Sequence, residues 1–218
     1  MSRQPLSPTA RSTLNRAKDR AVIDRSELDA VLDEGLICHL GVIVDGAPVV
    51  LPTGYGRDGD TLYLHGSTGA RSLRSKDDVC VTVTLVDGVV YARSVFHHSL
   101  NYRSAVVHGR LRGIDDPAEK LRALRVVVEH MAPGSWEHAR QPTKRELAAT
   151  AVLALDLTEA SVKVRRGGPN DDAEDIAADT AWAGVLAIVC QWGTAESHAS
   201  LPVPAHVADR GRTAPLQP

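Results

Sequence analysis

The sequence predicts a mainly β protein of the α+β class, built on a six-stranded antiparallel β-barrel, closed or nearly closed, with peripheral helices. The first observation is a series of segments rich in Val, Ile, Leu and Thr, separated by short polar breaks. The second is the Asp-Gly dipeptide at three of these breaks, a pair typical of tight turns between antiparallel strands. The predicted strands are residues 36–44, 47–55, 61–66, 79–86, 89–96 and 102–112.

The breaks between the predicted strands indicate how the strands connect. Each Asp-Gly pair predicts a hairpin, because two residues suffice to join antiparallel neighbours. A helix-like insert, TGARSLRS, separates the third strand from the fourth, and two later runs, AVLALDL and SVKVRR, extend the sheet. The three Asp-Gly pairs are Asp45-Gly46, Asp58-Gly59 and Asp87-Gly88.

Helices are predicted before and after the strands. Asp24, followed by Glu27, predicts the start of the first helix, because this spacing is that of a capping box. Asp116, followed by Pro117, predicts the start of the second helix. The apolar faces of the two helices are predicted to be Leu28, Val31 and Leu32, and then Leu121, Leu124, Val128 and Met131.

Composition describes an ordinary globular protein. Apolar residues make up 43% of the chain, charged residues 24%, and the formal net charge is −2. This balance of charge argues against sequence-independent binding of nucleic acid. The longest apolar runs, such as residues 35–44, are far too short to cross a bilayer. We therefore predict no nucleic-acid partner and no membrane partner.

The cysteines indicate neither a disulfide framework nor a metal site. They are three in number and widely spaced, and no C-x-x-C occurs. Cys38 and Cys80 lie in apolar runs, where a free cysteine usually packs as a small hydrophobe. His39 follows Cys38, but neighbours on a strand point to opposite faces, so the two cannot bind one metal ion.

Changes in composition predict three segments along the chain. Residues 1–20 carry positive charge without a following apolar region, which predicts a flexible leader of a cytoplasmic protein. Residues 21–190 form the predicted barrel domain, and within it the acidic stretch NDDAEDIAAD predicts a solvated loop. Residues 191–218 have no core-forming period and predict a disordered tail or an arm on a partner.

One motif match is interpreted as a turn. Residues 54–59 satisfy G-x-G-x-x-G, but a dinucleotide-binding fingerprint needs a helix after its glycines. Here the strand-like run TLYL follows instead. We therefore interpret this stretch as a hairpin.

The segment VCVTVTLV predicts a strand with two different faces. Strand alternation sends Val79, Val81, Val83 and Leu85 into the core and leaves Cys80, Thr82, Thr84 and Val86 on the other face. The same parity places Tyr63 and His65 together on a neighbouring strand. The simpler alternative is that these threonines are solvated strand residues.

The segment LHGSTGARSLR, residues 64–74, predicts a site for a phosphate group. A strand ends at His65-Gly66, and a short helix is predicted from about Ser67, with Arg71 and Arg74 in its first turns. Free amides at a helix start favour an anion, and an Arg fork adds charge-assisted hydrogen bonds. The alternative is a capped helix with solvated arginines.

The segment FHHSLNYRS, residues 96–104, combines different polar groups. Phe96 is predicted to end one strand and Tyr102 to begin the next, which makes residues 97–101 a connecting loop. Two imidazoles, an amide, a phenol and a guanidinium there favour contact with a small-molecule substrate, and His97 or His98 can supply a proton. The alternative is a hairpin loop with solvated histidines.

These motifs, in this order and spacing, resemble the pyridoxamine 5′-phosphate oxidase-like flavoproteins, and in particular the branch related to nitroimidazole-resistance proteins. The resemblance covers residues 15–190 and rests on VVLPTGYGRDGDTLYLHGSTGARSLRS, VCVTVTLVDG and SVFHHSLNYRSAVVHG. It implies a split β-barrel that forms homodimers and holds FMN in clefts at the subunit interface.

The resemblance also implies cofactor contacts along these motifs. Arg71, with Ser72 beside it, matches the basic residue that holds the FMN phosphate. The other residues implied along the flavin are Pro52, Thr53, Tyr55, His65, Gly66, Ser67, Thr82, Thr84, Tyr102, Arg103, Ser104 and, near the C-terminus, Trp182.

Three functions remain open at this point. The first is an FMN-dependent oxidoreductase acting on a small planar molecule, with His97, His98 and Tyr102 as catalytic residues and a nicotinamide electron donor. The second is a non-catalytic protein that binds flavin, deazaflavin or haem, and the third is a structural barrel with an empty cleft. AWAGVLAIVCQWG stands where the vitamin-processing oxidases carry an arginine-bearing segment, which argues against pyridoxamine phosphate as the substrate.

Overall fold

The computed structural model describes residues 5–6, 9–16, 18–74 and 77–211 of the 218-residue chain. These residues separate into two compact units. Unit 1 consists of the residues up to Thr84 together with Ser104–Val162, and unit 2 consists of Leu85–Arg103 together with the residues from Lys163 onward.

The described residues form ten strands and six α-helices, and short 3-10 turns lie at Lys18–Arg20, Arg71–Arg74 and Val95–His97. The strands are β1 (Ala21–Val22), β2 (Ile37–Val44), β3 (Ala47–Asp58), β4 (Thr61–Ser67), β5 (Asp78–Tyr91), β6 (Ser99–Arg110), β7 (Arg112–Gly113), β8 (Thr150–Asp156), β9 (Ala160–Arg165) and β10 (Gly184–Ala187). The helices are α1 (Arg25–Glu34), α2 (Pro117–Met131), α3 (Ser135–His138), α4 (Lys144–Ala149), α5 (Ala173–Ala178) and α6 (Ala205–Arg210).

Nine strands follow one another in the hydrogen-bonded order β1-β9-β6-β5-β2-β3-β4-β8-β7, and β5, β6 and β9 each have residues in both units. The pairs β2·β3, β2·β5, β3·β4, β4·β8 and β7·β8 are antiparallel, so the predicted antiparallel β class is confirmed. Two parts of the prediction are wrong. The described residues hold ten strands instead of six: the predicted strands 79–86 and 89–96 are one strand, β5, the two predicted extensions of the sheet are β8 and β9, and three very short strands, β1, β7 and β10, were not predicted. The hydrogen-bonded order is open instead of closed.

Strand β3 belongs to two ladders. Its residues 47–54 pair with β2, and its residues 55–58 pair with β4. The change of partner falls between Gly54 and Tyr55, so one long strand bends from one part of the sheet into the next. Residues 54–59, which match the G-x-G-x-x-G pattern, are therefore strand and hairpin, as predicted.

Two of the three predicted Asp-Gly hairpins are confirmed. Asp45 and Gly46 have φ values of 52° and 79°, the left-handed conformation of a two-residue hairpin turn between β2 and β3. Gly59, with φ 56°, turns β3 into β4. These positive φ values explain why the turns contain glycine.

The third predicted hairpin, at Asp87-Gly88, is wrong. Strand β5 runs through these residues without a turn, and in unit 2 its outer part pairs with β10. A Cβ added to Gly88 would lie 2.9 Å from the Leu186 carbonyl oxygen, so this glycine permits close approach of β10. The prediction that Phe96 ends a strand is also wrong, because Phe96 lies in the 3-10 turn Val95–His97.

The core of unit 1 follows the predicted pattern on α1 and β5. Leu28, Val31 and Leu32 of α1 are buried, and Asp24 caps the helix by accepting a hydrogen bond from the Ser26 backbone. Inward residues of β5 are buried with them, namely Val79, Val81 and Val83. Leu85, predicted to share that face, is half-buried.

Helix α2 begins as predicted but buries a different face. Asp116 accepts a hydrogen bond from the Glu119 backbone, and Pro117 occupies the first turn. The buried residues are Ala123 and Val127, whereas Leu121 and Met131 of the predicted face are exposed.

Close contact between α2 and β3 explains this shift of face. A Cβ added to Gly56 would lie 2.7 Å from the Val126 carbonyl oxygen, so the helix backbone rests almost directly on the strand. Small residues suit this approach better than Leu or Met. Ala123 belongs to a buried cluster with Ile114, Val152 and Ala154.

The C-terminal part of unit 2 contains two short helices that the sequence did not predict, whereas residues 212–218 of the predicted tail lie outside the described residues. The acidic stretch contains helix α5, so it is not the predicted loop, although most of its residues are exposed and only the Asp171 side chain just before the helix is buried. Residues 191–203 are exposed and form no helix or strand, and α6 follows from Ala205. The proposed segment boundaries at 20/21 and 190/191 stay predictions. Within the described part of the chain, no helix is long and apolar enough to span a membrane.

Candidate functional site

The outer face of β2, β3 and β5 in unit 1 places three side chains in one row. His39 of β2 is the direct partner of Pro52 on β3 and of Thr82 on β5. Directly paired residues lie on the same face of a sheet, so the three side chains stand side by side. Pro52 and His39 are exposed and Thr82 is half-buried.

The neighbouring rows of this face combine glycines with exposed apolar side chains. Ile37 pairs with Gly54, and Gly41 pairs with both Val50 and Cys80. Val50 is 64% exposed and Ile37 is 50% exposed. The glycines have no side chain, so at these positions the backbone lies open between exposed apolar side chains. An apolar ring system could lie against such a surface.

The opposite face of the same strands is core. Cys38 and Leu40, on either side of His39, are buried, which confirms that Cys38 packs as a small hydrophobe. Burial raises the pKa of the Cys38 thiol to about 12, so the group is a neutral thiol at neutral pH. Alternation along β2 therefore separates Cys38 from His39, as predicted.

The segment after β4 contains a buried polar atom without a partner. His65 is half-buried, and its Nδ1 atom is enclosed and makes no hydrogen bond to any residue in the described part of the chain. An unsatisfied buried nitrogen of this kind is destabilising by about 1–3 kcal/mol. A bound group with a hydrogen-bond donor or acceptor would satisfy it.

The helix predicted from Ser67 is absent. Strand β4 continues through Ser67, which pairs with Thr150, and the next regular element is the single 3-10 turn Arg71–Arg74. The β8 ladder therefore takes the backbone groups that a helix start would leave free. Within this segment, the Ser67 hydroxyl accepts a hydrogen bond from the Gly69 backbone.

Gly66 serves the fold of this segment. A Cβ added to it would lie 2.5 Å from Cδ1 of Leu73, so the 3-10 turn covers the space above the glycine. Leu73 therefore occupies the space on the Cβ side of Gly66, and the contact of a ligand with this residue stays a prediction.

Arg71 remains available to an anion. Its guanidinium donates to Asp45 at 2.5 Å, and both side chains are about two-thirds exposed. An exposed pair of this kind is worth only about 0–1 kcal/mol, so a phosphate can replace the carboxylate. Ser72 beside it is half-buried.

Tyr55 is a core residue, and its predicted contact with the flavin stays a prediction. Its side chain is fully buried, its hydroxyl donates to the Leu32 carbonyl at 2.6 Å, and its ring lies 4.8 Å from the His130 ring. Burial also raises the pKa of Tyr55. Because Tyr55 and Pro52 are an odd number of residues apart on one strand, they point to opposite faces.

Two other predicted contacts lie near this bend. Thr53 is half-buried, and its hydroxyl donates to the neighbouring Gly54 carbonyl at 3.3 Å. Thr84 is exposed and shares the face of Thr82 on β5. Ser104, at the start of the unit 1 portion of β6, is half-buried.

In unit 2, the polar side chains of FHHSLNYRS are largely bonded to their own unit. The His98 Nδ1 atom accepts a hydrogen bond from the Ala92 backbone at 3.0 Å, and His97 Nε2 lies 3.2 Å from Asp172 Oδ2. Asn101 donates to the Gly167 carbonyl. The predicted loop 97–101 is wrong in part, because β6 begins at Ser99, and hydrogen bonds within unit 2 account for much of this mixture of residue types.

The remaining predicted residues of unit 2 also have contacts within the unit. Arg103 donates from Nε and Nη2 to the Asp87 carboxylate at 3.0 and 2.7 Å. Tyr102 is half-buried. The Trp182 ring is 69% exposed and lies 5.7 Å from the Tyr91 ring.

Sequence reasoning missed two features of the molecule. His39 was considered only together with Cys38, although strand register alone would have placed it beside Pro52 and Thr82. In unit 2, the Arg93 guanidinium donates hydrogen bonds to the carboxylates of both Asp171 and Asp179. These two residues lie 78 and 86 positions after Arg93 in the sequence, so no local motif could predict the contact.

No cluster of three or more His, Cys, Asp or Glu side chains suited to a metal ion occurs in residues 5–6, 9–16, 18–74 and 77–211. The expectation of no metal site made of protein ligands alone therefore stays a prediction. A metal ion that is already held by an organic cofactor needs fewer ligands from the protein than a metal ion bound by side chains alone.

Comparison with solved structures finds two similar proteins that match most of this chain. The flavocytochrome Anf3 from Azotobacter vinelandii is 38% identical, with a TM-score of 0.87, and the match covers 94% of this chain and 99% of that one. The FAD and heme binding protein from Mycobacterium smegmatis is also 38% identical, with a TM-score of 0.83 and coverage of 88% and 97%.

A more distant structure shares the fold. A proposed 5-nitroimidazole antibiotic resistance protein from Bacteroides thetaiotaomicron is 24% identical, with a TM-score of 0.58, and the match covers 66% of this chain and 86% of that one. Comparison with curated proteins finds no match.

The family follows from a direct match of sequence to family model. Residues 24–164 match the model described as pyridoxamine 5′-phosphate oxidase, which confirms the resemblance drawn from the motifs. The matched region includes the outer face of β2, β3 and β5 and the segment after β4. The chain belongs to the pyridoxamine 5′-phosphate oxidase family.

Proposed function

We propose that this protein binds a flavin and a haem and acts as an oxidoreductase that passes electrons between them. The observation that carries the proposal is the 38% identity, over nearly the full length of both chains, to a flavocytochrome. A second structure of equal identity is named for binding FAD and heme. This proposal joins the first two functions that the sequence left open.

The flavin proposal is supported by residues of unit 1. The unpartnered Nδ1 atom of His65 can bond a polar atom of a flavin, and Arg71 can pair with a phosphate oxygen. Thr82 makes no side-chain hydrogen bond to another described residue, so its hydroxyl is available as well. We propose FAD as the flavin, with FMN as the alternative that the sequence motifs predict.

The haem proposal is compatible with the ligands that the chain offers. Haem carries four nitrogen ligands of its own, so one or two protein side chains complete the iron site. This agrees with the lack of larger metal-binding clusters in the described ranges. When bound, the flavin supplies hydride or single-electron chemistry and the haem single-electron or oxygen chemistry, while the protein supplies position and hydrogen bonds.

We further propose a homodimer in solution. Unit 2 exposes large apolar side chains that a single chain leaves in water, including Val95 and Phe96 at 88% and 85% exposure, and Trp182 and Leu186. Burial against a second copy would remove this surface from water. Light scattering should give twice the 23.3 kDa mass of one chain, and a mass of one chain would contradict the dimer.

The substrate and the electron donor are proposed by class only. A nicotinamide dinucleotide is the proposed donor and a small planar molecule the proposed acceptor, with His97, His98 and Tyr102 as the proposed contacts. The double variant His97→Ala, His98→Ala should keep its cofactors and lose turnover by about a hundredfold or more, if an imidazole transfers a proton. Unchanged turnover would remove both histidines from the proposed mechanism.

The test of the main proposal is the absorption spectrum of the purified protein, followed by extraction of its cofactors. Flavin bands together with a Soret band support two cofactors, and chromatography of the released flavin separates FAD from FMN. Reduction by dithionite and by a nicotinamide donor should be followed at both sets of bands. A colourless protein that binds neither added flavin nor added haemin would overturn the proposal.

A further inference from the structure

We infer that Met131, the last residue of α2, is a further flavin-contacting residue that closes one end of the flavin surface, an inference that rests on the flavin binding proposed above. The first observation is its position over Gly54. A Cβ added to Gly54 would lie 3.0 Å from the Met131 Sδ atom, so the thioether occupies the space on the open side of this glycine. The helix pattern predicts a buried residue here, yet Met131 is 37% exposed.

The outer face of β3 changes from open to covered at the position of Met131. Strand alternation places Pro52, Gly54 and Gly56 on this face, and along it Pro52 is exposed, Gly54 is half-buried and Gly56 is buried. Helix α2 covers Gly56, since a Cβ added there would lie 2.7 Å from the Val126 carbonyl oxygen. Met131 therefore stands where the covering helix ends and the open row that contains Pro52 begins.

Hydrogen bonds from the neighbouring residues hold this end of α2 in place. His130 Nε2 lies 2.7 Å from the Gly35 carbonyl oxygen, and the Glu129 carboxylate accepts a hydrogen bond from the Gly134 backbone at 2.7 Å. The backbone therefore carries the thioether of Met131 in a fixed position, and only the side chain adjusts. A contact residue that is preorganised in this way loses little conformational freedom when a ligand binds.

The position beside Gly54 on the neighbouring strand also favours a flavin contact. Tyr55 pairs with Leu64, and Gly54 and His65 are the next residues on the two strands. The enclosed Nδ1 atom of His65 has no hydrogen-bond partner in the described part of the chain. A thioether is apolar and polarisable, and it makes favourable contacts with the edges of aromatic rings. Met131 therefore suits an apolar edge of the flavin ring, while His65 suits one of its polar atoms.

The test is the oxidation of methionine to its sulfoxide by chloramine-T, followed for each residue by mass spectrometry. Leu121→Met supplies an internal control, because Leu121 lies about 15 Å away along α2 and is equally exposed, at 36%. Exchange of Leu for Met keeps the side-chain volume and costs little stability. The protein is freed of flavin and oxidised in the dark, without flavin and with saturating FAD or FMN. We expect bound flavin to slow oxidation of Met131 and to leave that of the control methionine unchanged.

Two variants measure what the contact contributes. Met131→Ala should weaken flavin binding about two- to tenfold, the range expected for a contact between sulfur and an aromatic ring, and Met131→Leu should restore part of this loss because it keeps the bulk. If the protein binds flavin but Met131 is protected no more than the control methionine, the inference is overturned while the proposed flavin binding stands. A fall in affinity without protection would indicate a structural role alone and would also overturn it. If the wild-type protein binds neither FAD nor FMN, the proposed function itself fails.

Discussion

The two faces of β2, β3 and β5 in unit 1 have opposite characters although their residues alternate in the sequence. The inward face carries Leu40, Val81 and Val83, all buried. The outward face carries His39, Pro52 and Thr82, all at least partly exposed and in one row. A step of one residue along a strand therefore separates a buried core position from a position that is open to solvent or to a ligand.

The comparison also explains why Tyr55 and Pro52 have different roles. Both belong to β3 and to a motif that the family resemblance assigns to the flavin edge. Tyr55 faces inward and bonds to the Leu32 carbonyl, whereas Pro52 faces outward beside His39. Family motifs give the order of residues, and the pleat of the strand decides which of them can touch a ligand.

The largest effect should come from Tyr55→Ala on the inward face. Loss of a fully buried aromatic ring should lower the free energy of unfolding by about 3–5 kcal/mol. Tyr55→Phe should lower it by only about 1–3 kcal/mol, because it removes the partner of the Leu32 carbonyl and keeps the ring. Urea denaturation measures both. Near-normal stability of Tyr55→Ala together with loss of flavin would place this residue at the ligand site after all.

Arg71→Ala tests whether the binding surface extends to the turn after β4. A charged hydrogen bond is worth about 1.5–3 kcal/mol, so flavin affinity should fall about tenfold to a hundredfold or more. Stability should change little, since the Arg71–Asp45 pair is exposed. Arg110→Ala is the control, because Arg110 also forms an exposed pair, with Asp78. Equal flavin affinity in both variants, measured by fluorescence titration, would exclude Arg71 as the phosphate ligand.

Adjacent residues on β5 provide the sharpest test of the two faces. Val83→Ala should lower the free energy of unfolding by about 1.5–3 kcal/mol, because the side chain is buried. Thr82→Ala should stay within about 0.5 kcal/mol of the wild type and weaken flavin binding instead. Denaturation and flavin titration are measured on the same two variants. We expect the first variant to lose stability and keep its flavin affinity, and the second to keep its stability and lose flavin affinity. If both variants changed stability alone, the outward face would be only a solvated surface.

The smallest effect concerns thiol reactivity. Burial raises the pKa of Cys38 to about 12, so at pH 8 the thiolate that reacts with a disulfide reagent is scarce. Cys190 is exposed and should react quickly. Cys190→Ser should therefore remove the fast phase of labelling under native conditions and leave the total in denaturant lower by one thiol. A fast phase that survives in this variant would show that β2 opens readily or that half-buried Cys80 reacts.

Two hairpins and two helix starts were predictable from the sequence because their chemistry is local. Asp45-Gly46 and Gly59 adopt the positive φ values that these residues tolerate, and Asp24 and Asp116 cap helices through hydrogen bonds a few residues away. The inward face of β5 was predictable for the same reason, since period-two alternation needs no knowledge of the partner strand. The order of motifs was enough to indicate the family.

Only the tertiary structure decided features that depend on distant neighbours. Asp87-Gly88 remains extended because β10 approaches it, and α2 turns Ala123 toward the sheet because Gly56 lets the helix come close. His39 acquires its neighbours from strand register, and His98 loses its Nδ1 lone pair to a backbone amide. Local patterns fix backbone conformation and which face is apolar, whereas the partner that a strand, a helix or a ring nitrogen meets is set by packing across the whole chain.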